Sequence, residues 1–253
     1  MMNAQFERNL GVLSPEDMNK LKESRIAIAG CGCIGGFSAE LLTRLGIGAL
    51  RIADPDIFDV TNINRQCAAT HETVGMPKVD AMRKHLQAIQ PEINLDMWNE
   101  SVMESNADAF VADADYVVDA IDYFAFPHAV ALHRAARRHG KPVITAAALG
   151  FGTSVLAFHP QGMTLEAYVG IDESTPLHEL EGAVIPASRY ATHLPSYVTA
   201  EQIKAWLQSR HIPTISVGQA LGPGVLVSKL VLHLLGRQEP QYVPDSFQLQ
   251  LEA

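Results

Sequence analysis

The stretch Arg25 to Gly36, RIAIAGCGCIGG, constrains the fold more than any other part of the chain. Arg25-Ile26-Ala27-Ile28-Ala29 is an apolar run of strand length. Gly30, Gly32 and Gly35 follow in G-x-G-x-x-G spacing, and Phe37, Leu41, Leu42 and Leu45 then recur at helical spacing until Gly46. Strand, glycine turn and helix in that order make a βα unit whose helix N-terminus is free to meet a phosphate. The unpaired N–H groups and positive dipole end attract the anion, and glycine lets the backbone approach it. Alone, the motif implies a nucleotide and suits flavin and nicotinamide cofactors equally well.

The residues on either side extend the pattern. Ser14-Pro15-Glu16-Asp17 reads as a helix start, with a cap, an early proline and acids near the positive dipole end, and the helix runs to about Ser24. Strands are expected at Ala49–Ala53, Ile93–Trp98, Tyr116–Ile121 and Pro142–Ala147. Helices are expected over 77–90, 104–112 and 125–138. This alternation predicts an α/β fold with a Rossmann-like, doubly wound, mainly parallel sheet. After Gly150 the pattern changes. Thr153–Phe158 reads as a strand, and 159–214 is rich in proline, histidine and polar residues, with a helix at 199–208 after a Thr199 cap. Residues 216–235 read as a long apolar helix broken by Gly222-Pro223-Gly224, and Phe247–Leu251 alternates like an outer strand.

Composition narrows the class. The 253 residues carry a formal charge of −9, which offers no electrostatic footprint for nucleic acid. Three cysteines, Cys31, Cys33 and Cys67, form no disulfide framework and suit a reducing compartment. The first ten residues lack the apolar core of a signal peptide. No uninterrupted apolar run reaches the roughly 18 residues of a membrane span. Residues 215–235 come closest, with Lys229 and His233 among their interruptions. A cytoplasmic protein with no membrane partner is expected.

Candidate chemistry gathers around the turn. Asp54 ends the second strand, 24 residues after Gly30, where an acid binds ribose hydroxyls. The following loop holds Asp56, then Asn62, Asn64, Arg65 and Gln66 in TNINRQ. A guanidinium fork matches phosphate oxygens, and Lys78 and Arg8 could add two more cations. A nicotinamide site needs no such cluster, whereas a triphosphate does. Asp119 and Asp122 close the strand at 116–121; period-two alternation means one of them leaves it, and Asp122, the outer one, is the better Mg²⁺ ligand.

The order RNLG (8–11), GCGCIGG (30–36), DPD (54–56), TNINRQ (61–66), GMPK (75–78) and DAID (119–122) resembles the ThiF/MoeB/HesA family, adenylating enzymes related to the ubiquitin-activating enzymes. The similarity covers roughly 1–158, and the apolar helix with Gly222-Pro223, followed by Leu234-Leu235-Gly236, looks like the family's C-terminal helix. The resemblance implies one ThiF-type adenylation domain over 1–253, with a nucleotide-binding core (1–150) and an acceptor and dimer part (151–253). It implies attack of a carboxylate on the α-phosphate of ATP, giving an acyl adenylate and pyrophosphate. By the same resemblance Asp54 holds the ribose, Asn62, Arg65 and Lys78 hold the phosphates, and Asp122 carries Mg²⁺. Gly30, Gly32, Gly35, Asp56 and Gln66 complete the binding set. Arg8 reaches across a homodimer to the partner's ATP. Fixed cations and Mg²⁺ would offset charge building on the phosphates without a protein nucleophile.

Departures from the family matter as much. The two C-x-x-C pairs of many members are absent, so no zinc is expected. The loop between 160 and 215 has no cysteine, which argues against a thioester or persulfide relay there. Cys67 reads as a small packed residue rather than a reactive one. Histidines 159, 178, 193 and 211 lack metal-ligand spacing, and His193 is the one to test for a substrate role. The leading expectation is an ATP- and Mg-dependent adenylyltransferase acting on a carboxylate of a ubiquitin-like carrier, a biosynthetic peptide or a small molecule. A tRNA threonylcarbamoyladenosine dehydratase-like cyclisation is a close variant, although the acidic balance disfavours a tRNA partner. A nicotinamide-dependent oxidoreductase and a non-catalytic ATP-binding module are the remaining alternatives.

Overall fold

The computed structural model describes residues 4–191 and 193–251. Seven strands form one sheet in the order β3-β2-β1-β4-β5-β6-β7. They are β1 (Arg25–Ala29), β2 (Ala49–Ala53), β3 (Asn94–Trp98), β4 (Tyr116–Asp119), β5 (Val143–Leu149), β6 (Gly152–Phe158) and β7 (Phe247–Leu249). The first five run parallel, while β6 and β7 are antiparallel additions at one edge. Helices are α1 (Pro15–Glu23), α2 (Cys33–Leu45), α3 (Lys78–Ile89), α4 (Ala107–Val111), α5 (Phe126–Arg138), α6 (Leu165–Val169), α7 (Ala187–Tyr190), α8 (Ala200–Ser209) and α9 (Ser216–Leu234).

Both faces of the parallel sheet are covered, which is why its strands are nearly continuous apolar runs. Successive side chains of β1 point to opposite faces. Ile26 and Ile28 join a core with Leu42 of α2, Met82 of α3 and Leu226 of α9, while Ala27 and Ala29 join one with Phe110 of α4 and Val130 of α5. At about 25 cal/mol per Å² of apolar area removed from water, such burial dominates the stability of each layer.

The sequence expectation fails most clearly at α9. The break expected at Gly222-Pro223-Gly224 is absent, and the helix runs through Pro223. The glycines instead permit close packing. A Cβ at Gly218 would stand 2.1 Å from the Gly150 carbonyl oxygen, and one at Gly222 would stand 3.0 Å from both Ile34 and Thr153. Contact with the sheet and α2 offsets the roughly 3 kcal/mol that an interior proline costs. This helix is long and apolar enough to cross a membrane by length and composition. Its Leu226, Val227, Leu230 and Val231 are buried in the core shared with β1 and α2.

Strand β1 sits between β2 and β4, so the chain reverses direction across the sheet at the gap between β1 and β4. In open α/β sheets that switch point, at the carboxyl ends of the strands, is where ligands bind.

Candidate nucleotide site

The glycine turn lies at this switch point and is shaped by close approach. Gly30 has φ +93°, and a Cβ there would stand 2.2 Å from the carbonyl oxygen of Ala120, just beyond β4. A Cβ at Gly35 would stand 1.8 Å from Gly30 O and 3.1 Å from the Ala120 Cβ. Ala120 was not singled out from the sequence; its small size in DAID is the signal that could have marked it. Gly32 caps α2 without a side-chain bond, so the first amides of the helix are left for solvent or a ligand.

Asp54 acts first on its own backbone. Its Oδ2 accepts from Cys31 N (2.8 Å) and its Oδ1 from Asp56 N (2.9 Å), with the residue 5% exposed. The carboxylate therefore pins the glycine turn to the end of β2, and a ribose has only its remaining lone pairs. Asp56, by contrast, is open to solvent and accepts from Lys78 Nζ at 2.8 Å. Burial pushes the Lys78 ammonium towards neutrality, but Asp54 and Asp56 outweigh it and hold the pKa above the ordinary lysine value. Lys78 is thus a fixed cation, placed by the first turn of α3.

Arg65 reaches the same region. Its Nη1 donates to Thr61 O (2.7 Å) and to Asn64 Oδ1 (2.8 Å). Its guanidinium stands beside Cys33 at the start of α2; burial pushes that thiol up, and Arg65 pulls it the other way. Asn64 Nδ2 in turn donates to Thr214 O, tying the loop to the approach of α9. Asn62 Oδ1 accepts from Asp59 N and closes the turn at Val60–Asn62, so part of that side chain is committed to the loop. Gln66 is 7% exposed, its amide lies 3.7–3.8 Å from where a Gly32 Cβ would be, and its Oε1 has no protein partner. A buried acceptor left unpaired beside a phosphate-type turn suits a ligand with hydroxyl or amino donors.

Beyond β4 the two aspartates separate, as alternation requires. Asp119 is buried and hydrogen-bonded to His133 Nε2 (3.0 Å), which stacks edge-on against Phe158. Asp122 lies outside the strand, exposed, with Oδ1 accepting from Phe124 N at 2.9 Å. Its other oxygen is open, so it fits a magnesium ion completed by phosphate oxygens.

Arg8 is not brought to the turn of its own chain. It is exposed on a 3₁₀ segment of about two turns, Ala4–Asn9, anchored by Phe6 against Gly46 and by Asn9 Nδ2 donating to Leu45 O. Those contacts are at the C-terminal end of α2, and 13 residues of helix span about 20 Å. Among the other sequence candidates, Cys67 is held as a thiol, since burial pushes it up to about 12. His159 packs edge-on against Tyr242, and His178 faces Glu179 at the surface. His193 is bridged through its backbone to Gln248, and its neighbour Thr192 lies outside the described residues.

A parallel α/β sheet with a glycine turn, two cations and an acid at its switch point defines a nucleotide-binding class. The ThiF family model matches residues 6–251, and the chain belongs to that family. The Bacillus subtilis tRNA threonylcarbamoyladenosine dehydratase is 40% identical over 119 residues, 47% of this chain and 47% of that protein. The chain thus matches about half the length of this curated relative. E. coli MccB solved with ATP superposes with a TM-score of 0.74 at 20% identity, over 98% of this chain and 68% of that one. The E. coli tRNA N6-threonylcarbamoyladenosine dehydratase in complex with AMP gives a TM-score of 0.69 at 23% identity, over 92% and 95%. At these identities the superpositions establish the fold alone.

Proposed function

We propose that this protein is an ATP-dependent adenylyltransferase that activates a carboxylate as its acyl adenylate. The observation that carries the reading is the arrival of Lys78 and Arg65, from two separate segments, at the helix N-terminus that follows Gly30. A dinucleotide site has no work for that pair, because backbone amides hold its pyrophosphate. Negative charge on the α-phosphoryl oxygens and departing pyrophosphate is what two fixed cations offset. Gln66 and Asn62 position the nucleotide, Asp54 holds the turn in shape, and Asp122 is the ligand for Mg²⁺. When bound, that ion neutralises phosphate charge and aligns the leaving group. The ATP and AMP named in the MccB and dehydratase structures support a nucleotide of this kind.

The remaining cation is supplied in trans. Arg8 points into solvent at the far end of α2, so a second copy of the chain is the source that would complete the site. Mixing Arg8→Ala with Asp122→Ala protein should restore activity in hybrid dimers; no recovery, with subunit exchange demonstrated, would remove this part.

The chemistry is tested by pyrophosphate–ATP exchange with peptide C-termini, small carrier proteins and small carboxylic acids. Arg65→Ala and Asp122→Ala should each lower exchange by about 10²–10³-fold. Exchange undiminished in both variants would overturn the assignment. A specific observation supports a second fate for the adenylate, namely the 40% identity to a threonylcarbamoyladenosine dehydratase. On that reading a nucleophile of the same molecule would attack the acyl adenylate and close a ring with release of AMP, so that water is lost in the net reaction at the expense of ATP. Incubation with threonylcarbamoylated tRNA, followed by nucleoside mass analysis, separates ring closure from transfer to another acceptor.

A further inference from the structure

Beside the first turns of α2, Glu40, Cys67 and His85 bring three different donor atoms together. A carboxylate oxygen, a thiol sulfur and an imidazole nitrogen all lie within 4.8 Å of one another. They come from three elements: Glu40 from α2, His85 from α3 and Cys67 from the loop between β2 and α3. We propose that this cluster binds one borderline-soft divalent cation of the zinc class. The site is independent of the reading of the nucleotide site, and it differs from the C-x-x-C zinc centres whose absence led to the expectation of no zinc.

The donor set is what such an ion selects. Thiolate with imidazole excludes Mg²⁺ and Ca²⁺, which take oxygen, and suits Zn²⁺ or Co²⁺. Metal–ligand bonds of about 2.0–2.3 Å in a tetrahedron place donors roughly 3.3–3.8 Å apart, so the three atoms need shifts of about 1 Å. His85 Nε2 and Glu40 Oε2 now share a hydrogen bond of 2.8 Å, and the ion would take the place of that proton. Arg44 Nε holds the other carboxylate oxygen at 2.7 Å, fixing the rotamer of Glu40 as a supporting shell does. Gly36 makes room, since a Cβ there would stand 3.2 Å from Cys67 Sγ. The side chains of Glu40 and His85 are 18% and 30% exposed, which leaves an entry path and a fourth position for water. On coordination Cys67 loses its proton to solvent and becomes thiolate, while His85 would bind through Nε2 as the neutral imidazole with its ring proton on Nδ1.

Titration of untagged, metal-free protein with Co²⁺ tests this directly. One equivalent should produce thiolate-to-cobalt charge-transfer absorption with intense tetrahedral d–d bands, and Zn²⁺ should displace it. Cys67→Ser should abolish the charge-transfer band, and His85→Gln should weaken binding at least about tenfold. Cys33→Ser should leave the spectrum intact. Zn²⁺ should also raise the thermal midpoint of the wild type, because it ties α2, α3 and the intervening loop together. Wild-type protein without the charge-transfer band, or a band that survives Cys67→Ser, overturns the proposal. The wild-type spectrum decides the matter even where a variant fails to fold.

Discussion

Around the first glycine turn, Ile26, Ala27, Ile28 and Ala29 of β1 are wholly shielded, whereas α8 in the later segment has no buried residue at all. The first region is held by packing on both sheet faces and by approaches that only glycine allows. The second, residues 159–214, contains α6, of five residues and capped by the Thr164 hydroxyl, and α7, of four residues with no side-chain cap, joined by loops. It touches the core at scattered points such as Leu165, Tyr168, Leu180 and Ile185. The contrast teaches that nucleotide geometry is built into the cooperative core, while the region expected to meet the acceptor is local structure laid over it. Segments of the second kind open at lower free energy and can change without disturbing the first.

The harshest attack on that comparison is a methyl group at the turn. Gly35→Ala places its Cβ against the Gly30 carbonyl, a backbone atom that cannot rotate away. We expect a loss of more than about 3 kcal/mol in urea unfolding, together with loss of ATP binding. Gly182→Ala is the partner experiment in the second region. Gly182 has φ +78° but nothing within 4 Å of a Cβ, so only the backbone term of about 1 kcal/mol applies. Equal losses at 35 and 182 would break the comparison.

Next in size is a truncation in each region. Leu42, 0% exposed on α2, should lose about 3 kcal/mol as Leu42→Ala, from lost transfer energy and the cavity left behind. Leu207 on α8 is only partly shielded, and Leu207→Ala should cost less than about 1 kcal/mol. Chemical denaturation of both variants gives the ratio.

Lys78 probes the border between stability and function. Lys78→Met removes the cation between Asp54 and Asp56. Breaking a fully buried pair costs about 3–5 kcal/mol, and the exposure of Asp56 reduces this to about 2 kcal/mol. ATP affinity should fall as well, read by calorimetry on protein still folded at the working temperature. Unchanged affinity would detach α3 from the site.

Much of this was legible because the first region obeys strong local rules. Apolar runs between 25 and 158 marked the strands, and the glycine spacing with Asp54, Arg65 and Lys78 marked the site by residue type. What Asp54 does was not legible, because its bonds to Cys31 N and Asp56 N depend on where backbone amides point after folding. Pro223 misled for a related reason: a local helix breaker is overruled by packing against the sheet that sequence alone does not display. Helices α6 and α7 are too short to show a period, and Glu40, Cys67 and His85 meet only through the packing of α2 on α3.

The smallest effect is the sharpest discriminator, because the same capping chemistry opens a helix in each region. Ser14 and Thr199 both form a capping box, their hydroxyls accepting from Asp17 N and Gln202 N at 3.1 and 3.2 Å. Removing either hydroxyl costs its helix about 1 kcal/mol. Helix α1 carries Met18 and Leu21 into the core, so Ser14→Ala should lower global stability by that amount. Helix α8 carries nothing into it, so Thr199→Ala should raise amide exchange across 200–209 about fivefold and leave the urea midpoint almost unmoved. A global loss from Thr199→Ala as large as that from Ser14→Ala would mean that α8 unfolds with the sheet, and the acceptor-facing segment would then belong to the same cooperative unit as the glycine turn.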